Sequence, residues 1–264
     1  MSTNLERLFG LSGKIALVTG ASSGLGRGCA RALASGGANV GLVARRGDRL
    51  EELAAEIERD FGVKTATVAA DVTDSAALTH AFDQIETALG PPDILLYGAG
   101  IAELSRAEKH RREKWDRVMA INLTAAFEAS QWMARRLIER GVGGKIIHLS
   151  SAVGVGANPV HKAVGYAASK AGLNGLVRQL AIEWAQHDIQ VNAISPSYFP
   201  TEMTVDPRVG DVAADQKQVM LQFTPMGRLG REGELDTAVL FLAAPATSYV
   251  TGAIIPVDGG WTAW

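Results

Sequence analysis

The feature that most constrains the fold is an alternation that runs nearly the whole chain. Short apolar runs bounded by Gly, Pro or Asp are separated by longer segments of helical period. Ile15–Val18, Val40–Val43, Thr65–Ala69 and Ile94–Tyr97 are partly β-branched, as strands buried on both faces are. Segments 25–36, 48–60, 74–89, 113–139 and 166–187 place apolar residues three and four apart, and Asp48 or Asp74 can cap a helix start. Further strand-like runs follow at Lys145–Leu149, Ile189–Ile194 and Ile254–Val257. This order predicts an α/β fold, a doubly wound parallel sheet of about seven strands with helices on both faces. At 264 residues, one domain spanning 1–264 is the expectation. The alternation breaks between Ser195 and Arg231, where Pro196, Pro200, Pro207 and Pro225 leave room for one helix at roughly 211–223. A long irregular insertion of this kind predicts a substrate lid at about 196–230.

Composition mainly excludes. With 26 basic and 28 acidic residues, a net charge of -2 offers no footprint for nucleic acid or an anionic membrane surface. Cys29 is the only cysteine, which rules out an intramolecular disulfide and fits a reducing cytoplasm. Ile15–Val18 is too short for a signal h-region, and nowhere do ~18 apolar residues run together. His110, His148, His161 and His187 lack metal-ligand spacing, so no metal is expected.

Directly after the first apolar run comes Thr19-Gly20-Ala21-Ser22-Ser23-Gly24-Leu25-Gly26, opening the next helix. A strand-to-helix turn at the carboxyl edge of a parallel sheet presents free N–H groups and a positive helix end, both suited to a pyrophosphate. The spacing is G-x-x-x-G-x-G rather than G-x-G-x-x-G, and a tight turn without a ligand reads the same way.

Tyr166-Ala167-Ala168-Ser169-Lys170, preceded by Ser150-Ser151 and, further upstream, by Asn122 in Ala120-Ile121-Asn122-Leu123, resembles the short-chain dehydrogenase/reductase family. The similarity covers essentially the entire chain: the glycine loop, Asp71-Val72, Ala99-Gly100, Pro196 with Thr201, and the closing Val257-Asp258-Gly259-Gly260. It implies a Rossmann-type fold and a hydride-transferring oxidoreductase. It also implies a dinucleotide held by Gly20, Ser22, Ser23, Gly24, Leu25, Gly26, Arg45, Arg46, Asp71, Val72, Gly98, Ala99, Gly100, Tyr166, Lys170, Pro196 and Thr201. Two departures stand out. Where the family carries Asn-Asn-Ala-Gly this chain has Tyr97-Gly98-Ala99-Gly100, and where it carries Pro-Gly this chain has Pro196-Ser197.

Hydride transfer from an alcohol needs a base for the hydroxyl proton and, in reverse, an acid for the alkoxide. A free tyrosine, with a pKa of about 10, needs a nearby cation to serve near neutrality. Lys170, four residues after Tyr166 on one helix face, supplies that charge. The family pattern puts the substrate-binding serine before a small-x-Gly run, which selects Ser151, with Ser150 as fallback. It also gives Asn122 the ordering of a water and lysine proton relay. The spacing from Ser151 to Tyr166 is about two longer than the family's, which implies an insertion near Asn158–Lys162. A surface helix pair, a strand-ending serine and a helix-interrupting asparagine remain the ordinary alternatives for these residues.

Ala44-Arg45-Arg46, with no carboxylate until Asp48, favours NADP(H) over NAD(H), because guanidinium groups pair with a 2′-phosphate. NAD(H) stays possible, since arginines here can simply coat the surface. The stretches around Glu183–Asn192 and Tyr198–Met203 resemble gluconate 5-dehydrogenase-like sugar-acid and polyol members. Glu103, Arg106, His161, Lys162, Tyr198 and Met203 fall where such members line the pocket, and Arg106 or Lys162 can meet a substrate carboxylate. Two alternatives stand beside this reading. One is a 3-oxoacyl-[acyl-carrier-protein] reductase docking through Arg135, Arg136 and Arg140; the other is a non-catalytic dinucleotide sensor or scaffold. The resemblance also implies a homotetramer built on helices 113–139 and 166–187 and the C-terminal segment. Trp261 and Trp264 fit that assembly, or a tail folded on its own chain.

Overall fold

The computed structural model describes residues 4–157, 159–202, 204 and 212–263. Its framework follows from strands with no polar face. β1 (Ile15–Thr19), β2 (Asn39–Ala44), β4 (Ile94–Tyr97), β5 (Gly144–Leu149) and β6 (Ile189–Pro196) are buried almost throughout, so each must be covered on both sides. With β3 (Thr65–Ala69) and β7 (Ile254–Val257) they form one parallel sheet in the order β3-β2-β1-β4-β5-β6-β7.

Helices close both faces. After the short α1 (Asn4–Phe9), one layer holds α2 (Gly24–Ser35) and α3 (Gly47–Phe61), whose Leu33, Leu50, Leu53 and Ile57 pack with Val18, Val40 and Leu42. The opposite layer holds α4 (Ser75–Leu89), α5 (Arg112–Met119), α6 (Ala125–Arg140) and α7 (Val164–Trp184). There Phe82, Ile85, Met133, Leu137, Leu173 and Val177 pack on Leu17, Leu95 and Ile146. Because β1 has β2 on one side and β4 on the other, chains leave the sheet in opposite directions there. That divergence opens a crevice at the carboxyl ends of the strands.

Most expected boundaries agree within a residue or two; the differences are informative. The segment 113–139 is not one helix. α5 and α6 are separated by a π turn, Ala120–Thr124, in which Ala125 N–H donates to Ala120 O five residues back. Asp74 caps α4 by accepting from Ala77 N at 2.9 Å, whereas Asp48 sits inside the first turn of α3, behind an Arg46 N-cap. The helix expected at 211–223 is α8 (Ala214–Gln222); Pro207 and position 211 lie outside the described residues. A further helix, α9 (Asp236–Ala243), completes the first layer against α2. Apolar at most of its positions, on its exposed side at Phe241 as well as on its buried side, α9 shows no amphipathic period to read. Among the described residues no helix is long and apolar enough to cross a membrane.

Candidate active site

The crevice is a cleft of about 660 Å³. Every residue expected to hold the dinucleotide lines it, from Gly20, Ser22, Ser23, Gly24, Leu25 and Gly26 through Arg45, Arg46, Asp71, Val72, Gly98, Ala99 and Gly100 to Pro196 and Thr201. Ser151, Tyr166 and Lys170 line it as well, while Asn122 stands behind its wall.

Close packing explains the glycines. At Gly20, φ is +68°, and a Cβ would lie 2.7 Å from Ala99 N; at Gly26 a Cβ would lie 2.3 Å from Gly20 O. Side chains at either place would separate the loop from β4 and from the start of α2. The loop is tied to β4 by Thr19 Oγ1, which accepts from Gly98 N at 3.1 Å and Ala99 N at 3.3 Å. At the other end of the groove Asp71 Oδ1 accepts from Thr73 N and Thr73 Oγ1, and the first of these bonds chiefly holds its carboxyl below the usual range. The close-packed glycine loop at the start of α2, with the two arginines at the edge of the cleft, fits the pyrophosphate of a dinucleotide.

Near Tyr166 the wall belongs to α7 and β5. Lys170 is buried, its Nζ donates to Leu149 O at 2.6 Å, and the ammonium lies 5.8 Å from the Tyr166 ring centroid. Burial pulls the lysine down to about 8, which still leaves it mostly charged at neutrality. Burial pushes the Tyr166 phenol up, and a hydrogen bond with the Ser151 side chain pulls it back. The two adjacent serines have separate tasks. Ser150 Oγ donates to Asn174 Oδ1 at 2.6 Å, on the α7 side, whereas Ser151 meets Tyr166. Of the two serines lining the cleft, Ser151 is therefore the one in contact with the Tyr166 hydroxyl.

Asn122 occupies the π turn with a fully buried side chain. It accepts from Ile101 N at 2.9 Å and donates to Ile101 O and Ser169 Oγ, each at 3.0 Å; Ser169 in turn donates to Tyr166 O. It thus ties the strand-four loop to the active-site turn of α7. Tyr97, standing where the family carries asparagine, braces the same turn: its hydroxyl donates to Ile121 O at 2.6 Å. Burial holds that phenol far above its ordinary value, so it remains a donor. The missing asparagine is legible in the sequence but this replacement is not, because the partner is a backbone carbonyl in the π turn, 24 positions along the chain. At the second departure, Ser197 N–H donates to Val257 O, continuing the pairing of β6 and β7 past Pro196.

The end of the cleft away from the glycine loop draws on distant stretches of the chain. His161 and Tyr198 meet edge-on with centroids 5.8 Å apart, Tyr198 and Trp261 at 5.2 Å, and Phe223 and Trp261 at 5.9 Å. Trp261 is brought in by Asp258, whose carboxylate accepts from Gly260 N, Thr262 N and Thr262 Oγ1. The C-terminal turn is thus folded against its own chain, while Trp264 lies outside the described residues. Of the expected pocket residues, His161 and Tyr198 line the cleft, but Glu103, Arg106 and Lys162 do not. Glu103 pairs with Lys114 and Arg117, and Arg106 and Lys162 are exposed. Met203 and Asn158 lie outside the described residues; the loop after position 158 is pinned where Ser105 N donates to Lys162 O at 2.7 Å. Among the described residues no three His, Cys, Asp or Glu side chains gather as a metal site.

A family profile described as "Enoyl-(Acyl carrier protein) reductase" matches residues 20–262. The galactitol 2-dehydrogenase (L-tagatose-forming) of Cereibacter sphaeroides is 42% identical over 257 residues, 97% of this chain and 98% of that protein. The chain belongs to the short-chain dehydrogenase/reductase family. It is an NAD(P)-dependent oxidoreductase acting on CH–OH groups. The 3-oxoacyl-[acyl-carrier-protein] reductase FabG of Aquifex aeolicus is 35% identical, covering 95% of this chain and 98% of that one. Among solved structures, a gluconate 5-dehydrogenase from Burkholderia cenocepacia J2315, in complex with NADP and tartrate, superposes with a TM-score of 0.90. It is 34% identical, with 99% of this chain and 100% of that chain covered.

Proposed function

We propose that this family member is an NADP(H)-preferring dehydrogenase that interconverts a small neutral polyol and its ketose. The observation that carries the substrate class is the lining of the cleft beyond Tyr166. Leu104, His161, Tyr198, Phe199, Gln216, Met220 and Trp261 lie there, and among the described residues no arginine or lysine other than Lys170 joins them. Burial lowers the His161 imidazole, keeping it neutral. Aromatic faces and neutral hydrogen-bonding groups suit the C–H and O–H surfaces of a polyol; a sugar acid calls for a cation near its carboxylate.

In the oxidative direction Tyr166 Oη takes the substrate hydroxyl proton while Ser151 Oγ holds the substrate oxygen; in reduction Tyr166 returns the proton. Lys170, kept charged and fixed on Leu149 O, stabilises the phenolate. Asn122 positions the turn of α7 that carries both. Bound in the cleft, the nicotinamide supplies the two-electron acceptor or donor. The preference for NADP(H) is supported by Arg45 and Arg46 at the cleft end of β2.

Residues 1–264 form one catalytic unit in this reading, with the stretch at about 196–230, helical over Ala214–Gln222, as the substrate lid. A cytoplasmic setting suits the lone, buried Cys29. Phe127 and Ile138 on α6 and Ile182 on α7 expose apolar surface where a homotetramer would assemble. Carrier-protein docking on α6 is weakened because Arg136 is held by Asp83 and Glu86 over the Trp132 ring and Arg140 donates to Pro92 O, while Arg135 is exposed.

The test is oxidation of NADPH and NADH against neutral ketoses, keto-sugar acids and short 3-oxoacyl thioesters. Ketose turnover with NADPH is expected. Faster turnover of the acids or thioesters refutes the substrate class, and tight cofactor binding with no turnover of any class returns the sensor reading.

A further inference from the structure

Among the described residues, the lid reaches the cofactor end of the cleft through Thr201 and the Glu202 carboxylate. Thr201 packs on the glycine loop, with its Cβ and Cγ2 3.4 Å from where a Gly24 Cβ would stand. The next side chain, Glu202, accepts from Arg46 Nη1 at 3.0 and 3.3 Å and from Arg49 Nη1 at 2.6 Å. Arg46 is engaged on its other nitrogens too. Its Nε and Nη2 donate to Ser22 Oγ at 3.3 and 3.1 Å, and Nη2 donates to Ser23 Oγ at 2.6 Å. Every nitrogen of this guanidinium is therefore committed, and a phosphate can reach it only by replacing a present partner.

We propose that Glu202 is a cofactor-specificity residue that competes with the 2′-phosphate of NADP(H) for Arg46 and Arg49. The inference rests on the NADP(H) reading above. A phosphate near Arg46 repels the carboxylate but not the serine hydroxyls, so Glu202 is the partner displaced. A cofactor with a plain 2′-hydroxyl makes no such demand and leaves the contact intact. Glu202 thereby weakens NADP(H) binding selectively and speeds its release.

The experiment compares the wild type with Glu202→Gln, which preserves size but removes the charge and replaces one of the two acceptor oxygens by a donor. Fluorescence titration gives Kd for NADPH, NADH and adenosine 2′,5′-bisphosphate at low ionic strength, and stopped-flow gives the NADPH release rate. Glu202→Gln is expected to tighten NADPH and the bisphosphate about two- to fivefold, the span of an exposed ion pair. NADPH release should slow in proportion, NADH should be unchanged, and the gain should shrink in high salt. Unchanged or weaker NADPH binding in the variant, with the wild type still preferring NADPH, overturns the competition while leaving the cofactor reading intact. A wild type that binds NADPH and NADH equally, with the ratio indifferent to Arg46→Leu, overturns both.

Discussion

Replacing Lys170 with methionine separates a catalytic from a structural role for the buried amine. The ammonium lies 5.8 Å from the Tyr166 ring centroid. At an effective dielectric of about 20, one unit charge at that range stabilises a phenolate by about 3 kcal/mol. That corresponds to about two pKa units, or a loss of about 100-fold in kcat near neutral pH. Stability should move differently. The folded lysine titrates at about 8 and the unfolded one near 10.5, so burying this amine costs stability at neutral pH, and methionine removes that cost while leaving Leu149 O without its donor. The assay is kcat for alcohol oxidation from pH 6 upward, beside a melting curve. Lys170→Met should melt at or near the wild-type temperature, with the limb where kcat rises with pH moved up by about two units. A variant that keeps the wild-type limb, or loses activity only because it unfolds, refutes the assignment.

Further outcomes follow from the same geometry. Arg45→Asp combined with Arg46→Leu should raise the apparent KM for NADPH far more than for NADH in steady-state assays; equal effects reject the arginine assignment. Gly26→Ala, whose new Cβ would press on Gly20 O, should weaken cofactor binding about 10–100-fold by titration, the equivalent of 1–3 kcal/mol of overpacking. Tyr97→Phe leaves Ile121 O without its donor and should cost about 1–3 kcal/mol in denaturant unfolding. His148, buried and pushed to about 3 by burial and then by the Lys170 charge, binds a proton less readily than its unfolded form near 6.5. The unfolded state therefore holds more protons between these values, and stability falls as pH drops through them. His148→Leu should flatten that acid limb by up to about 1.4 kcal/mol per pH unit, and an unchanged limb contradicts it.

How much of this was legible in the chain depended on the range of the physics. Strands of β-branched residues, the glycine turn and the Tyr166-to-Lys170 helical spacing are short-range patterns, and they appear where the alternation places them. The split of 113–139 did not show, because a π turn keeps helical periodicity almost intact on either side. Nor did α9, whose nearly all-apolar surface hides its period. Arg106 and Lys162 were placed near the pocket by position along the chain, yet their side chains point to solvent. That direction depends on how the surrounding loops fold.

By itself the sequence determined the parallel sheet and the order of its elements along the chain, and its motifs pointed to Tyr166 and Lys170 by family resemblance, since periodicity and residue spacing act within a few residues of the chain. Only the tertiary structure decided what lies against that pair. It brought Trp261 to Tyr198, set Tyr97 under the π turn, and placed Glu202 on Arg46 across 156 positions. Such contacts join groups whose separation along the chain carries no local signal, and they arise because the crossing of the strands leaves one crevice at which these loops converge.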